Sequence, residues 1–345
     1  MGRTALFLVL GLGMAMAYVG MQIFRSQETA TATQYAYMKY MNARNLSRSA
    51  VHAALRVFDR AQTPATGVAT QFNTGSFQLD SLWTSANQDT LKMVTRGTYA
   101  ESTYVMRVRL YRTTRPFPTV GAAIGIRAEP VSFNLSGHAS VDGRAYDTTG
   151  TVLLTDTTLY KPGVSTMVSS DSSSVASSGG SNISGLPPVK VDTNVVDPNK
   201  FIDIYKNNAD FTYNVSGTYS GMTWGSASNP VIVYCNAGDD TSFAIKFTGG
   251  VIGYGILIVR GNVQFNGNLN FYGLVVVDGF NTTVSFGASG TPGIVGGLIV
   301  AGNAGASVTL KGTGSNGKVV YSPGALARAK NIGKLRYYTI LDWYE

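Results

Sequence analysis

Paired carboxylates near a cation are the first residues in this chain whose types and spacing can do chemistry. Asp239 and Asp240 are adjacent within Asn236-Ala237-Gly238-Asp239-Asp240-Thr241-Ser242, and Asp278 follows, with Lys246 and Arg260 in between. Two carboxylates flanking a glycosidic bond supply the acid and the base of polysaccharide cleavage. If the chain is an enzyme, these five residues are its candidates. The same residues have a plainer reading. Asp239 and Asp240 lie in a turn-like stretch, and Asp278 stands between Val277 and Gly279, so solvated corners account for them. The expectation is therefore no catalytic centre.

A second cluster offers oxygen ligands to a hard cation. Between residues 137 and 151, Asp142, Asp147 and the hydroxyls of Thr148 and Thr149 are of the type that holds Ca²⁺. The spacing does not match an EF-hand loop, and Asx turns closed by Gly143 and Gly150 explain the same residues. No metal and no other cofactor is expected, with Ca²⁺ at Asp142 and Asp147 as the alternative. The single cysteine, Cys235, sits in Val231-Ile232-Val233-Tyr234-Cys235, and the two histidines, His52 and His138, are far apart. Cys235 reads as a small buried apolar residue, and no internal disulfide can form.

The elements around these residues repeat. Gly-Ile-Leu-Ile-Val-Arg-Gly begins at Gly255, Gly-Leu-Val-Val-Val-Asp-Gly at Gly273 and Gly-Leu-Ile-Val-Ala-Gly at Gly297, spaced 18 and 24 residues apart. Residues 231–235 and 318–321 keep the same pace, with shorter apolar-polar-apolar runs between them. A period near 20 marks a solenoid. It is too short for a βαβ unit and suits a parallel β-helix in which each strand stacks on its equivalent one coil away. The fold class expected is mainly β, with a long N-terminal helix and a C-terminal parallel β-helix preceded by a small β-rich region. Residues 325–331 read as a short helix, and Tyr337–Trp343 as a last strand capping the solenoid, with Trp343 and Tyr344 as plugs.

Residues 4–24 are apolar over a length that spans a bilayer as a helix, with Arg3 before them and Arg25 after. A signal peptide cleaved near Ala17 is the alternative, since Ala15-Met16-Ala17 fits the cleavage pattern. From Gln22 to Gln62 there is no Gly or Pro, so one helix can run from the membrane to about residue 61. Its Leu46, Ala50, Ala53, Ala54, Val57 and Phe58 recur at three- and four-residue steps and form a packing face. Residues 1–130 hold 14 Lys and Arg against 6 Asp and Glu, whereas the remainder is neutral at 13 and 13. Basic residues beside an anchor read as attraction to anionic head groups. No nucleic-acid-binding motif is present, so no specific nucleic acid is expected. The low charged content, 13%, with Gly, Ser, Thr and Asn in its place, places the chain outside the cytoplasm.

Between these parts, residues 91–99 and 104–111 alternate with period two and read as a hairpin. Arg107, Arg109, Arg112 and Arg115 lie along its exposed edge. Ser169 to Ser184 is serine-rich and reads as a flexible tether. A short helix is expected over residues 198–209, with Asp197 as cap. The organisation expected is an anchor and stalk over residues 1–61, a β-rich module over 62–160, a Ser/Pro-rich linker or long loop over 161–199 and a capped β-helix over 200–345.

The short leader before residue 4, Ala43-Arg44-Asn45 and Ser49-Ala50-Val51-His52-Ala53-Ala54-Leu55 on the helix, Gly137-His138-Ala139-Ser140-Val141-Asp142-Gly143, the glycine-flanked repeats and the terminal Leu341-Asp342-Trp343-Tyr344-Glu345 together carry a resemblance. The chain resembles pilus-assembly proteins with a PilX-type N-terminus followed by a β-helical domain of unknown function. It departs from ordinary prepilins, because Gly2 is followed by Arg3 and the first acidic residue is Glu28. The resemblance implies a membrane-held accessory, minor-pilin-like, of a type IV pilus or related assembly in a bacterial envelope. It also implies envelope or pilus assembly proteins as partners, beside the membrane expected from the apolar run at residues 4–24 and the surface glycans that the stacked faces of a β-helix can contact. A carbohydrate-active β-helix enzyme is the first alternative, and a polymer-forming scaffold the second.

Overall fold

In the computed structural model the described residues are 2–60, 62–85, 89–236, 244–286, 293–312 and 317–344. The chain is mostly β, with one long N-terminal helix and a large parallel sheet. It divides into two compact units, Met1–Thr113 with Tyr337–Glu345, and Thr114–Arg336. The second is thus an insertion in the first, and the boundaries differ from those read off the sequence.

In the first unit, helix α1 runs unbroken over Gly2–Asp59, about 85 Å at 1.5 Å per residue. Threonine is a weak helix former, and in the stretch 29–33 each threonine hydroxyl donates to the carbonyl four residues back. The C-terminal part of α1 buries Ala43, Leu46, Ser47, Ala50, Val51 and Ala54, the helical periodicity expected of a packing face. It packs on an antiparallel sheet of β1 (Ala69–Phe72), β2 (Gly75–Thr84), β3 (Thr90–Tyr99) and β4 (Ser102–Thr114). The expected β3–β4 hairpin forms, with Tyr99 opposite Ser102. Gly97 on β3 lets α1 approach: a Cβ there would collide with the backbone of Ala43 and Ser47. At the same contact the buried Ser47 and Thr95 hydroxyls lie 2.9 Å apart, and each also donates to the other's carbonyl, at 3.2 and 3.1 Å.

The last strand, Arg336–Tyr344, joins this sheet beside β4. It does not cap the solenoid, and Trp343 and Tyr344 are not plugs. Its side chains explain the placement. Tyr338 packs on Phe58 with ring centroids 4.7 Å apart, Ile340 joins the same apolar cluster, and Asp342 accepts from Arg109 Nε at 3.0 Å. Arg109 is therefore paired rather than part of a free basic edge.

The second unit is a parallel β-helix whose coils present three faces in turn. On face I, residues 211–213, 231–236, 255–260, 273–278, 296–301, 124–127, 164–166 and 189–191 stack in that order. Face II stacks 218–220, 244–248, 262–266, 284–286, 306–312 and 131–137. Face III stacks 223–224, 251–254, 269–272, 293–296, 318–321, 140–142 and 183–184. Spatial order is not chain order. The coil that ends at Tyr321 is continued by the segment that begins at Ile124, and residues 192–210 return the chain from one end of the stack to the other.

The repeated glycines mark the corner between faces III and I. Gly255, Gly273 and Gly296 have φ of +123°, +143° and +142°, and a Cβ on any of them would fall on the carbonyl oxygen of the coil beneath. Only glycine satisfies both demands. The register corrects one sequence expectation. Gly273 lies beside Gly296, not Gly297, so Ile256 stacks on Leu274 and then Gly297, while Leu298 stacks on Val275 and Leu257. Gly297 is instead a close-approach site, where a Cβ would lie 2.6 Å from Val120.

The segment expected to be a flexible tether is ordered. Helix α2 (Ser169–Gly179) buries Asp171, Val175 and Gly179 and packs on residues 131–137. It occupies the place of a face II strand in the last coil, flanked by the strands at 164–166 and 183–184. Helix α3 spans Asn199–Lys206, with the Asp197 carboxylate accepting from the Asn199 N–H at 3.1 Å. Helix α4 spans Pro323–Lys330, opened by the Ser322 side chain, and lies along the solenoid rather than across its end.

Candidate binding surface on the solenoid

The inward columns of face II are apolar. Phe247, Phe265 and Phe286 stack with ring centroids 5.4 and 5.0 Å apart, and Leu310 and Leu135 continue the column. Beside it run Ile245, Val263, Val284, Val308 and Phe133, all buried. Alternation then sends the intervening side chains outward. These are Thr218, Lys246, Gln264, Ser285, Thr309 and Asn134 in one in-register row across six strands. A second row holds Asn262, Thr283, Ser307 and Ser132. The Asn262 side chain accepts from the Thr283 N–H at 2.8 Å, which fixes its amide orientation. Neither row contains an acid or an aromatic residue, and all are exposed or half-buried.

The other two faces are covered in part by the chain itself. On face I, Gly125 lies against Val195, with a Cβ contact of 3.4 Å, and Gly297 against Val120. The Arg127 guanidinium donates to the Val195 carbonyl at 3.0 Å. Tyr205 of α3 is fully buried, and its hydroxyl donates to the Pro116 carbonyl at 2.7 Å. On face III, Val295 and Val320 pack under Ala325 of α4, beside Tyr146 and Tyr272. Apolar outward positions such as Val295 and Val320 occur where the chain folds over them, while Ile252 on face III remains 42% exposed. Face II therefore presents an ordered grid of hydroxyl and amide groups at the ~4.8 Å spacing of strands, able to donate and accept hydrogen bonds to a neutral polar ligand without desolvating buried charge.

The sequence-nominated residues do not assemble on this face, apart from Lys246. Asp239 and Asp240 lie outside the described residues. Asp278 ends a face I strand, is only 5% exposed, and its carboxylate lies 4.0 Å from Arg260 Nε on the next strand. Asp278 also lines a cleft of about 400 Å³ with Arg127, Glu129, Asp197, Asn199 and Asn303. Sequence reasoning missed Glu129 and Asp197, because the non-sequential stacking brings residue 127 beside residue 301. Arg127 lies 3.9 Å from Asp197, and no set of three or more His, Cys, Asp or Glu among the described residues is arranged to hold a metal ion.

The loop nominated for Ca²⁺ is closed by its own donors. Asp142 accepts from Arg144 Nη2 at 2.6 Å and from the Tyr146 hydroxyl at 2.8 Å. Burial opposes its ionisation, but the Arg144 side chain and N–H and the Tyr146 hydroxyl outweigh it and hold its pKa below the usual carboxylate value. Asp147 accepts from the Thr149 hydroxyl at 2.6 Å and from the Thr151 and Val152 N–H groups at 2.9 and 3.1 Å. Those bonds, the Thr149 hydroxyl foremost, lower its pKa to about 2. Cys235 is buried as expected, and burial pushes its thiol pKa up.

On α1, residues 6–24 are exposed and long and apolar enough to cross a membrane. No known family's sequence profile matches the chain, and no curated protein matches its sequence. Among solved structures it overlaps the crystal structure of the competence-associated pilin ComZ from Thermus thermophilus, at 12% identity over 89% of this chain and 97% of that one, with a TM-score of 0.23, which does not establish a common fold.

Proposed function

We propose that this chain is a non-enzymatic, membrane-anchored protein of the bacterial cell envelope, an accessory component of a type IV pilus or related assembly, which presents face II of its β-helix to a ligand outside the cytoplasm. The observation that carries the reading is the contrast among the three faces. Two are covered over part of their length by the chain's own segments, and the third is left open with a regular polar grid. The exposed apolar segment of α1 supports anchoring, and the residues resembling PilX-type chains support the pilus assignment. Surface glycans are the ligand class that a hydroxyl and amide grid without acids, flanked by Lys246, suits.

A non-enzymatic role is favoured by the partners of the nominated acids: Asp278 lies beside Arg260, and Asp142 is engaged by Arg144 and Tyr146. The polymer-forming alternative is opposed by the ends of the stack. The terminal face I strands are only three residues long, and one carries Lys190 just after Pro187-Pro188. Short, charged or proline-flanked edges discourage edge-to-edge growth.

The test is replacement of Gln264, Thr309 and Asn134 together by bulky charged residues in the full-length protein in cells. The reading expects the protein to remain in the membrane fraction and pili to be assembled in normal number, while attachment to glycan-coated surfaces falls severalfold. Unchanged attachment with normal protein levels would refute presentation through face II.

A further inference from the structure

The exposed side of α1, opposite the face that packs on its sheet, carries Arg48, His52 and Arg56 at four-residue spacing, with Arg60 in the turn that closes the helix. Residues four apart on a helix lie one above another, so these four form one stripe about 18 Å long. Beside the stripe runs an open groove of about 450 Å³, lined by Ser49, His52, Ala53, Arg56, Val57 and Arg60. Its floor is small and apolar, from Ala53 and Val57, and its wall is cationic. Arg48 lies 6.0 Å from the Trp343 ring, and the His52 ring is 6.4 Å from the same indole. Arg56 and Arg60 form no ion pair with a carboxylate among the described residues. Asp59 lies on the same turn as Arg56 and Arg60, and Asp342 is engaged by Arg109. The packing of α1 on its sheet uses Ala43, Leu46, Ala50, Val51 and Ala54, with Arg48 and His52 beside Trp343 of the last strand, so Arg56 and Arg60 can be replaced without touching that packing.

We infer that this groove docks an acidic amphipathic helix of a partner protein. The charge of the wall selects an anion, and the periodicity selects its form. Carboxylates at every fourth residue of a helix repeat at ~6 Å, the same repeat as the stripe. Apolar residues between them fill the floor over Ala53 and Val57, as in helix-in-groove recognition. A phosphodiester chain matches the charge but offers nothing to that floor. Anionic lipid is distant, because Arg48 lies 24 residues beyond the end of the apolar segment at Phe24, ~36 Å along the helix. The inference is independent of the role given to face II.

The experiment uses the full chain in detergent micelles and a fluorescently labelled synthetic helix with glutamate at every fourth position and leucine between. Fluorescence anisotropy is expected to show binding that weakens at least ~10-fold in the Arg56→Ala/Arg60→Ala variant and with added salt. Ala53→Glu, which fills the floor with a like charge, is expected to abolish it. Thermal unfolding of each variant should match the parent, since the replaced side chains are outside the packing face. The inference is overturned if the peptide does not bind, if it binds the double variant equally well, or if its Glu→Gln version binds as tightly. It is also overturned if a single-stranded oligonucleotide or phosphatidylglycerol vesicles bind more tightly through the same arginines.

Discussion

Asp142 and Asp147 illustrate how local partners decide what a carboxylate does. Both are of a type and setting that suits a hard cation, yet each is saturated by donors from within a few residues of it. For Asp147 this has a pH signature. Its folded pKa is about 2 against an ordinary value of 3.8. A depressed carboxylate contributes stability that is complete above the ordinary value and is lost as pH falls through the folded one. NMR titration of the side-chain carboxyl is expected to give a midpoint near 2, with the turn at 147–152 loosening between about pH 4 and pH 2. A midpoint at the ordinary value would show that the Thr149, Thr151 and Val152 bonds do not form in solution. Asp147→Asn is expected to remove this pH dependence and to lower the neutral-pH stability toward that of the parent at low pH, by less than the full pKa shift implies because the group is only half-buried.

Elements are decided by contacts that the sequence shows unequally. Gly255, Gly273 and Gly296 hold the coil corner through two independent constraints, positive φ and backbone contact with the coil beneath. Gly273→Val is therefore expected to destabilise the second unit by more than about 3 kcal/mol. Gly250→Ala, where a Cβ meets nothing within 4 Å, should lie within about 0.5 kcal/mol of the parent. Urea unfolding of the two variants makes the comparison, and similar losses would contradict the corner argument. In the first unit, Ser47→Ala and Thr95→Val each leave a buried partner without its bond, and each is expected to cost about 1–3 kcal/mol. A double-mutant cycle should show clear coupling between them, and additive losses would deny the contact.

The glycine period was legible because it reflects a constraint repeated at every coil. Which of Gly296 and Gly297 occupies the corner was not, since both are glycine and the choice depends on how residues 279–293 are accommodated. Helix α2 was hidden because serine is nearly neutral between helix and coil. Its signal was only Val175 and Gly179 on one side, and their partner, residues 131–137, is distant in sequence. The final strand looked like a solenoid cap because it follows the solenoid in the chain. What assigns it elsewhere is Asp342 meeting Arg109, 233 residues earlier.

At the scale of the molecule, the solenoid is inserted between two neighbouring strands of the sheet that packs on α1, and is itself assembled from two segments stacked out of chain order. That order explains why the candidate surface was not visible as a motif. The row Lys246, Gln264, Ser285, Thr309 and Asn134 runs down the chain sequence and then jumps back by 175 positions. The face is continuous only because residues 306–312 pair with residues 131–137. Remove that pairing and face II ends two coils short of α2, with an open edge in its place.

The most direct measurement is a cross-link across this junction. Thr309 and Asn134 are in register on adjacent strands with both side chains outward, and Cys235 is buried and can remain. The Thr309→Cys/Asn134→Cys variant is expected to form an intramolecular link with a short thiol-reactive reagent as readily as the in-chain neighbour pair Thr309→Cys/Ser285→Cys. A chain in which the control pair links and Thr309→Cys/Asn134→Cys does not would mean that the two segments do not stack, and the shared face would not exist.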